Sequence, residues 1–160
     1  MTGEPRGSRA TIPGYGITTT PYAISWSDVA VKIEASRNYW INTTRADGRP
    51  HAMPVWGVWV DGSLYFGTSS TSVKGRNLAR SPRVVAHLES GDDVVILEGT
   101  VTRVTDSAEL SRYADAYERK YALRPDIDDP NGPAYRVDAR IAHTWQERDY
   151  PNSAMRWEFP

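Results

Sequence analysis

A hydroxyl-rich segment followed by a lysine is the part of the sequence best suited to binding phosphate. Residues 68–72 read Thr-Ser-Ser-Thr-Ser, and Lys74 and Arg76 follow closely. We predict a short helix over residues 75–80, so the segment would present unpaired backbone N–H groups and the positive end of a helix dipole to a ligand. Lys74 would add a compact cation suited to phosphate. From the residues alone, the alternative that Ser72 only caps the helix and Lys74 is solvated stays equally open.

The composition removes several other kinds of chemistry. The chain of 160 residues contains no cysteine, which excludes a cysteine nucleophile, a thiolate zinc site and an iron–sulfur cluster. His51, His87 and His143 lack the short spacing of a metal motif, so we expect no metal site. The Gly-rich motifs of Rossmann and P-loop proteins and the nucleophile elbow of α/β-hydrolases are absent. A net charge of −1 gives no basic field for nucleic acid or an anionic membrane.

The amino terminus and the apolar runs predict a cytoplasmic protein. The first residues are rich in Gly, Pro and Arg and contain no apolar core of the signal-peptide type. The longest strongly apolar run, residues 53–60, is far too short for a membrane span and contains Pro54 and Gly57. The lack of cysteine also fits a reducing compartment.

The remaining pattern predicts a mainly β protein. We expect residues 1–22 to form a flexible arm, because proline and glycine interrupt any periodicity, and residues 23–160 to form one domain. Short β-branched and aromatic runs separated by tight turns predict antiparallel strands at residues 39–44, 50–60, 63–67, 83–88, 94–104, 135–139 and 141–145. Helices are expected after the Ser25–Asp28 capping box, over residues 75–80, and over residues 106–121. Gly99 should mark a bulge, and the meander should close into a small barrel to protect its edges.

Residues 40–105 carry an ordered series of short motifs. In chain order they are Trp40-Ile41-Asn42-Thr43, Asp47-Gly48-Arg49-Pro50, Pro54-Val55-Trp56, Leu64-Tyr65-Phe66-Gly67-Thr68, Ser72-Val73-Lys74-Gly75-Arg76-Asn77-Leu78, Ser81-Pro82-Arg83-Val84 and Val95-Ile96-Leu97-Glu98-Gly99. The series resembles the pyridoxamine-phosphate-oxidase-like family of FMN- or coenzyme F420-binding split β-barrels. Each motif is unspecific by itself, whereas the ordered series is quite specific.

The resemblance implies an antiparallel split β-barrel that forms a homodimer, with the cofactor in a groove between the subunits. In this family the second and third strands flank the isoalloxazine or deazaflavin ring, and the Ser-x-Lys segment holds the phosphate. Carried over by position, Ser72, Lys74 and Arg76 would hold phosphate. The ring would be lined by Met53, Pro54, Val55, Phe66, Gly67 and Thr68. FMN and F420 both carry phosphate on a tricyclic ring, so the sequence does not decide between them.

The resemblance further implies an oxidoreductase that passes a hydride between the bound ring and a small conjugated substrate, with the chemistry supplied by the cofactor. The carboxyl end lacks the Arg-rich closing segment of true pyridoxamine-phosphate oxidases, which argues against vitamin B6 oxidation and favours a reductase-type branch. His51 lies on a ring-flanking strand and is a candidate proton donor, and water is an equal candidate. The alternative is a non-catalytic flavin or deazaflavin carrier or sensor without a substrate pocket.

The last residues predict an extended segment with one apolar edge. Met155, Trp157 and Phe159 alternate with Arg156 and Glu158. Two expectations remain open for this segment. Either Trp157 lies near the cofactor groove with Arg156 available to an anionic group, or the segment packs into the core of its own barrel.

Overall fold

The computed structural model describes residues 3–14 and 24–160, and most of them lie in strands. The strands are β1 (Arg6–Arg9), β2 (Asn38–Thr44), β3 (Pro50–Val60), β4 (Ser63–Gly67), β5 (Arg83–His87), β6 (Asp93–Arg103), β7 (Ala134–Gln146) and β8 (Met155–Glu158). The helices are α1 (Trp26–Ala35), α2 (Val73–Arg80) and α3 (Ser107–Tyr121), and a 3₁₀ turn (Glu147–Asp149) follows β7.

Six of the strands close into an antiparallel barrel. Their order is β7-β4-β3-β2-β5-β6, and β6 pairs with β7 to complete the ring. The 13-residue strand β7 makes this closure possible because one of its edges pairs with β6 along most of its length. Its other edge pairs with β4 near the start and with β8 near the end. The prediction of a mainly β protein closed into a small barrel is confirmed.

Gly99 lies at an irregularity in the β6–β7 pair, as the sequence predicts. The register shifts between Glu98 and Gly99, so that Arg140 is an extra residue in β7. A Cβ on Gly99 would lie 2.2 Å from the carbonyl oxygen of Asp138, which leaves room for glycine alone. The two short strands predicted on either side of this point are therefore one continuous strand, β7, with a bulge.

The amino-terminal residues form a strand where the sequence suggests a flexible arm. β1 pairs antiparallel with β8, which in turn pairs with β7. Gly7 permits this contact, because a Cβ there would lie 2.6 Å from the ring of Trp157. The expectation of a flexible arm is wrong for β1. Residues 1–2 and 15–22 of that arm lie outside the described residues.

Helix α1 begins at the predicted capping box and packs on the barrel. The Asp28 N–H donates to Ser25 Oγ at 3.1 Å, and the Ser25 N–H donates to Asp28 Oδ2 at 3.0 Å. Trp26, Val29 and Ile33 share the buried face of the helix and belong to the main hydrophobic core. The helix is therefore stabilised both by its cap and by its apolar stripe.

The carboxyl-terminal segment packs into the core. Trp157 is only 4% exposed. Its ring centroid lies 5.3 Å from that of Trp26, and its Nε1 donates to Thr144 Oγ1 at 3.0 Å. Arg156 forms an ion pair with Glu158 on the same strand. The structure therefore agrees with the expectation that this segment packs into the core of its own barrel. Trp157 does not line a groove.

Candidate functional site

Strand β3 has two halves with different neighbours. Residues 57–60 pair with β4, whereas residues 50–56 pair with β2 on one side only. On their other side, residues 50–56 pair with no strand among the described residues. This half is also exposed, with Met53 at 49% and Trp56 at 36%. We call residues 50–56 the open edge, and it offers both backbone hydrogen-bonding groups and apolar side chains to a ligand or a partner.

The hydroxyl-rich segment forms a bend that caps helix α2. Ser72 Oγ accepts a hydrogen bond from the Gly75 N–H at 2.9 Å and donates one to the carbonyl oxygen of Ser69 at 2.8 Å. A Cβ on Gly75 would lie 2.2 Å from that same carbonyl oxygen, so the helix and the bend can approach this closely only with glycine. The cap predicted at Ser72 is confirmed. Among the described residues no group accepts from the N–H of Val73 or Lys74, and both stay available to a ligand.

Lys74 is a buried cation, and it forms no ion pair with any of the described residues. The residue is only 7% exposed, and none of the ion pairs in residues 3–14 and 24–160 includes it. Burial lowers the pKa of Lys74. Removing an ammonium group from water without a counter-charge costs free energy, so such a position is completed naturally by a bound anion.

His51 on the open edge belongs to the same region. Its Nδ1 is buried and, within the described part of the chain, has no hydrogen-bond partner. Burial lowers the pKa of His51, and the positive charges of Arg45 and Lys74 lower it further. At neutral pH the ring is therefore uncharged and can exchange hydrogen bonds with a ligand. We call Arg45, His51 and Lys74 the basic cluster.

The three residues predicted to bind phosphate all lie near the start of α2, but they differ in how exposed they are. Ser72 and Lys74 lie at the start of the helix, as expected. Arg76 is exposed, and its guanidinium donates to the carbonyl oxygen of Thr71, so it braces the bend from outside. Arg45 was not among the predicted site residues, although the hairpin predicted from strands 39–44 and 50–60 places its turn close to His51.

The predicted ring-lining residues separate into two groups. Met53, Pro54 and Val55 lie on the open edge, and Gly67 and Thr68 lie where β4 passes into the bend. Phe66, in contrast, is fully buried and packs on the ring of Tyr135 at 5.7 Å between centroids. The side chains of Phe66 and Trp157 are thus part of the core and are not placed in a groove. The physical reason for Phe66 is that β4 is buried on both faces, so the usual alternation does not apply.

A separate polar cavity of about 780 Å³ lies between α3 and the barrel. Arg136 in its wall donates to Glu109 and to Asp138, each at 2.7 Å. Tyr65 donates to Glu109 at 2.9 Å. These charged groups are already paired with one another, so the cavity is less suited to an anionic ligand than the basic cluster.

Within residues 3–14 and 24–160, no group of three or more His, Asp or Glu side chains is arranged to hold a metal ion. No helix in the same ranges is long and apolar enough to cross a membrane.

The fold and the site together define an antiparallel barrel with an open strand edge next to a capped helix that carries an unpaired lysine. The sequence model of the family described as pyridoxamine 5'-phosphate oxidase matches residues 28–146 of the chain. The chain belongs to this family, as its resemblance in residues 40–105 suggests. Among curated proteins, none matches the chain.

Solved structures with the same fold include proteins of several descriptions. A conserved hypothetical protein from Mycobacterium tuberculosis, Rv2991, is 29% identical, with a TM-score of 0.66 over 79% of this chain and 87% of that one. A heme binding protein from Mycobacterium smegmatis is 21% identical, with a TM-score of 0.62 over 78% of this chain and 55% of that one. A protein described as an F420 reductase is 20% identical, with a TM-score of 0.56 over 69% of this chain and 91% of that one. The last two similarities show the fold alone.

Proposed function

We propose that the protein binds the phosphate of FMN or coenzyme F420 at the basic cluster and serves as a flavin- or deazaflavin-dependent oxidoreductase of the reductase type. The observation that carries this proposal is Lys74, a lysine that is 7% exposed and has no anion among the described residues. A phosphate group would supply the missing charge. Members of the family include oxidoreductases, which supports an enzymatic role.

The residues around Lys74 fit a phosphate group. Its ammonium would pair with one phosphate oxygen, and the free N–H groups of Val73 and Lys74 would donate to others, as at other helix N-termini that bind anions. Ser72 holds the bend in place through the Gly75 N–H. His51 in its neutral form adds a further hydrogen-bonding group without repelling Lys74.

The open edge would hold the ring. Met53 and the exposed part of Val55 offer apolar contacts. The backbone groups of residues 50–56 that do not pair with β2 offer hydrogen bonds to the polar margin of a flat heterocycle. When bound, the ring supplies hydride-transfer chemistry. The chain contributes orientation, exclusion of water and charge balance at the phosphate. A second copy of the chain would cover the open edge, which would make the protein a homodimer; the low net charge of −1 is compatible with such self-association.

The proton that accompanies hydride transfer to a conjugated substrate would come from water or from His51. In the protein without cofactor, burial and the charges of Arg45 and Lys74 lower the pKa of His51, and a bound phosphate would offset those charges and raise it again. His51 would also bind and orient the ligand. The substrate would be small and conjugated, and vitamin B6 oxidation would not be the activity.

A reoxidation experiment tests the enzymatic proposal. The protein is loaded with chemically reduced FMN or F420 under anaerobic conditions and mixed with small quinones and α,β-unsaturated carbonyl compounds, and the ring absorbance is followed. We expect at least one acceptor to reoxidise the bound cofactor faster than it reoxidises the free cofactor. Reoxidation no faster than that of free cofactor for every acceptor would favour a carrier or sensor.

A further inference from the structure

Gly57 is the joint between the two halves of β3. Within β3, Gly57 is the first residue that pairs with β4. It directly follows Trp56, the last residue of the open edge. A Cβ on Gly57 would lie 2.7 Å from the carbonyl oxygen of Tyr65 and 3.1 Å from the ring of Tyr39. Gly57 is therefore closely packed at the point where the partner of β3 changes from β2 to β4.

Two residues at the end of α3 hold the peptide of Gly57. Tyr121 Oη accepts from the Gly57 N–H at 3.0 Å, and its single proton can go to the carbonyl oxygen of Arg37 at 2.7 Å or to that of Gly57 at 2.8 Å. Lys120 Nζ donates to the same carbonyl oxygen at 3.2 Å, to the carbonyl oxygen of Glu34 at 3.0 Å and to Tyr39 Oη at 2.8 Å. We call Lys120 and Tyr121 the clamp. It connects α1, β2, β3 and α3 at one point.

Side-chain packing reinforces the clamp on the open edge itself. The indole of Trp56 stacks on the ring of Tyr121, with 4.6 Å between centroids and 1° between planes. The guanidinium of Arg37 lies 5.2 Å from the centroid of the Trp56 ring, a distance at which a cation is attracted to the ring face. The end of the open edge is thus fixed to α3 through its backbone and through a side chain.

The clamp has a cost that docking of α3 does not require. Burial lowers the pKa of Lys120 to about 8, which reflects the free energy needed to desolvate its ammonium group. Helix α3 already buries Tyr113 and Ala114 against the barrel, and neither residue contacts the open edge by a hydrogen bond. The helix can therefore be attached to the barrel without the hydrogen bonds from Lys120 and Tyr121 to Gly57, and these bonds act on β3 itself.

We propose that Tyr121 and Lys120 are positioning residues for the cofactor ring, which act by fixing Gly57 and through it the open edge. This inference rests on the proposed function, because it takes the open edge as the place where the ring binds. Neither residue touches the ring. The clamp pre-organises the edge, so less ordering has to accompany ligand binding.

The test compares Tyr121→Phe with Tyr117→Phe. The first variant loses the hydroxyl that binds Gly57 but keeps the ring that stacks on Trp56. The second loses a hydroxyl one turn earlier, on a ring that packs 4.7 Å from Tyr121 and forms no hydrogen bond with the described residues. Three quantities are measured: affinity for FMN and F420, affinity for inorganic phosphate, and hydrogen-exchange rates of residues 50–56 in the empty protein.

We expect Tyr121→Phe to weaken binding of the ring-bearing cofactor about tenfold, the size of one or two lost hydrogen bonds, and to leave phosphate affinity unchanged. Exchange in residues 50–56 should accelerate. Tyr117→Phe should match the wild type in cofactor affinity, in phosphate affinity and in the exchange rates of residues 50–56. Lys120→Met is the second variant and should act in the same direction as Tyr121→Phe.

Wild-type cofactor affinity and exchange in both clamp variants would overturn the inference, whatever their melting temperatures. Equal weakening of cofactor and phosphate binding would also overturn it, because it would indicate a general loss of structure. If the wild type binds neither cofactor, the proposed function fails and the ring-positioning role fails with it. The exchange rates would then show separately whether the clamp fixes the open edge.

Discussion

Asn77 in α2 donates a hydrogen bond from Nδ2 to Thr43 Oγ1 in β2 at 2.9 Å, and both side chains are buried. Asn77 lies three residues after Lys74, and Thr43 pairs directly with His51 across the β2–β3 ladder. This contact therefore fixes the helix that carries Lys74 to the strands that carry His51. The basic cluster is held in place by the chain itself before any ligand binds.

The first prediction concerns the close approach of α2 to the bend. Gly75→Ala places a Cβ 2.2 Å from the carbonyl oxygen of Ser69, so the bend has to move. We expect a loss of about 1–3 kcal/mol in the free energy of unfolding, typical of overpacking, together with weaker phosphate binding. Gly91→Ala is the control, because a Cβ there meets nothing within 4 Å. Equal denaturation midpoints and phosphate affinities for the two variants would contradict this account of the bend.

The second prediction concerns the protonation of His51. In the empty protein its pKa should lie below 6.5, because burial and the charges of Arg45 and Lys74 disfavour the imidazolium. The unfolded chain then binds the proton more readily, so this residue's contribution to stability is complete above about pH 6.5 and is lost as the pH falls below it. A bound phosphate would offset the positive charges and raise the pKa. NMR titration with and without inorganic phosphate measures both values, and a pKa that phosphate leaves unchanged would remove His51 from the site.

The third prediction concerns the carboxyl-terminal strand. Trp157→Ala removes a core indole that contacts Trp26 and Thr144, and it should cost about 3–5 kcal/mol of stability. Cofactor affinity, measured where the variant is still folded, should stay close to that of the wild type. Leu123→Ala is the control: it removes an exposed apolar side chain and should change neither the stability nor the cofactor affinity. A stable Trp157→Ala protein with poor cofactor binding would instead place this residue at the groove.

The fourth prediction concerns assembly. Light scattering at micromolar concentration should give twice the chain mass of 17.9 kDa. Met53→Asp introduces a charge on the open edge and should shift the protein to the monomer. Val31→Asp places the same charge on another exposed apolar position, in α1, and should leave the dimer intact. A monomeric wild type, or a Met53→Asp protein that stays dimeric, would show that a second copy does not cover the open edge.

The barrel strands could be predicted because their signals are local. The hairpins from β2 to β4 have β-branched and aromatic runs separated by Asp-Gly turns, and the observed strands begin and end within a residue of the predicted ones. β1 could not be predicted, since Arg-Gly-Ser-Arg has no strand composition and its partner β8 lies at the other end of the chain. Only tertiary pairing turns this segment into a strand.

The candidate site shows the same division between local and tertiary information. The Ser72 cap follows from the local sequence, and the structure has it. The burial of Lys74 depends on how α2 packs against β2, which no local pattern reveals. Phe66 was assigned to the ring by position, but its side chain is buried because β4 is covered on both faces. Tyr121 is the last residue of the helix predicted over residues 106–121, and its bonds to Gly57 depend on where β3 changes partner.

A binding titration tests the central claim most directly. Purified wild-type protein, Lys74→Met and Lys32→Met are each titrated with FMN and with F420 while absorbance and fluorescence are followed. Lys32 on α1 is the matched control, because its ammonium is paired with Asp93 of β6 at 2.6 Å. The wild type and Lys32→Met should bind at least one of the cofactors saturably and equally well.

Lys74→Met should bind that cofactor roughly 10- to 150-fold more weakly, as expected for about 1.5–3 kcal/mol lost with a charged hydrogen bond. The empty variant should melt at or above the wild-type temperature, because an unpaired buried ammonium has been removed. A wild type that binds neither cofactor, or a Lys74→Met protein that binds as tightly as the wild type, would contradict the assignment of this site.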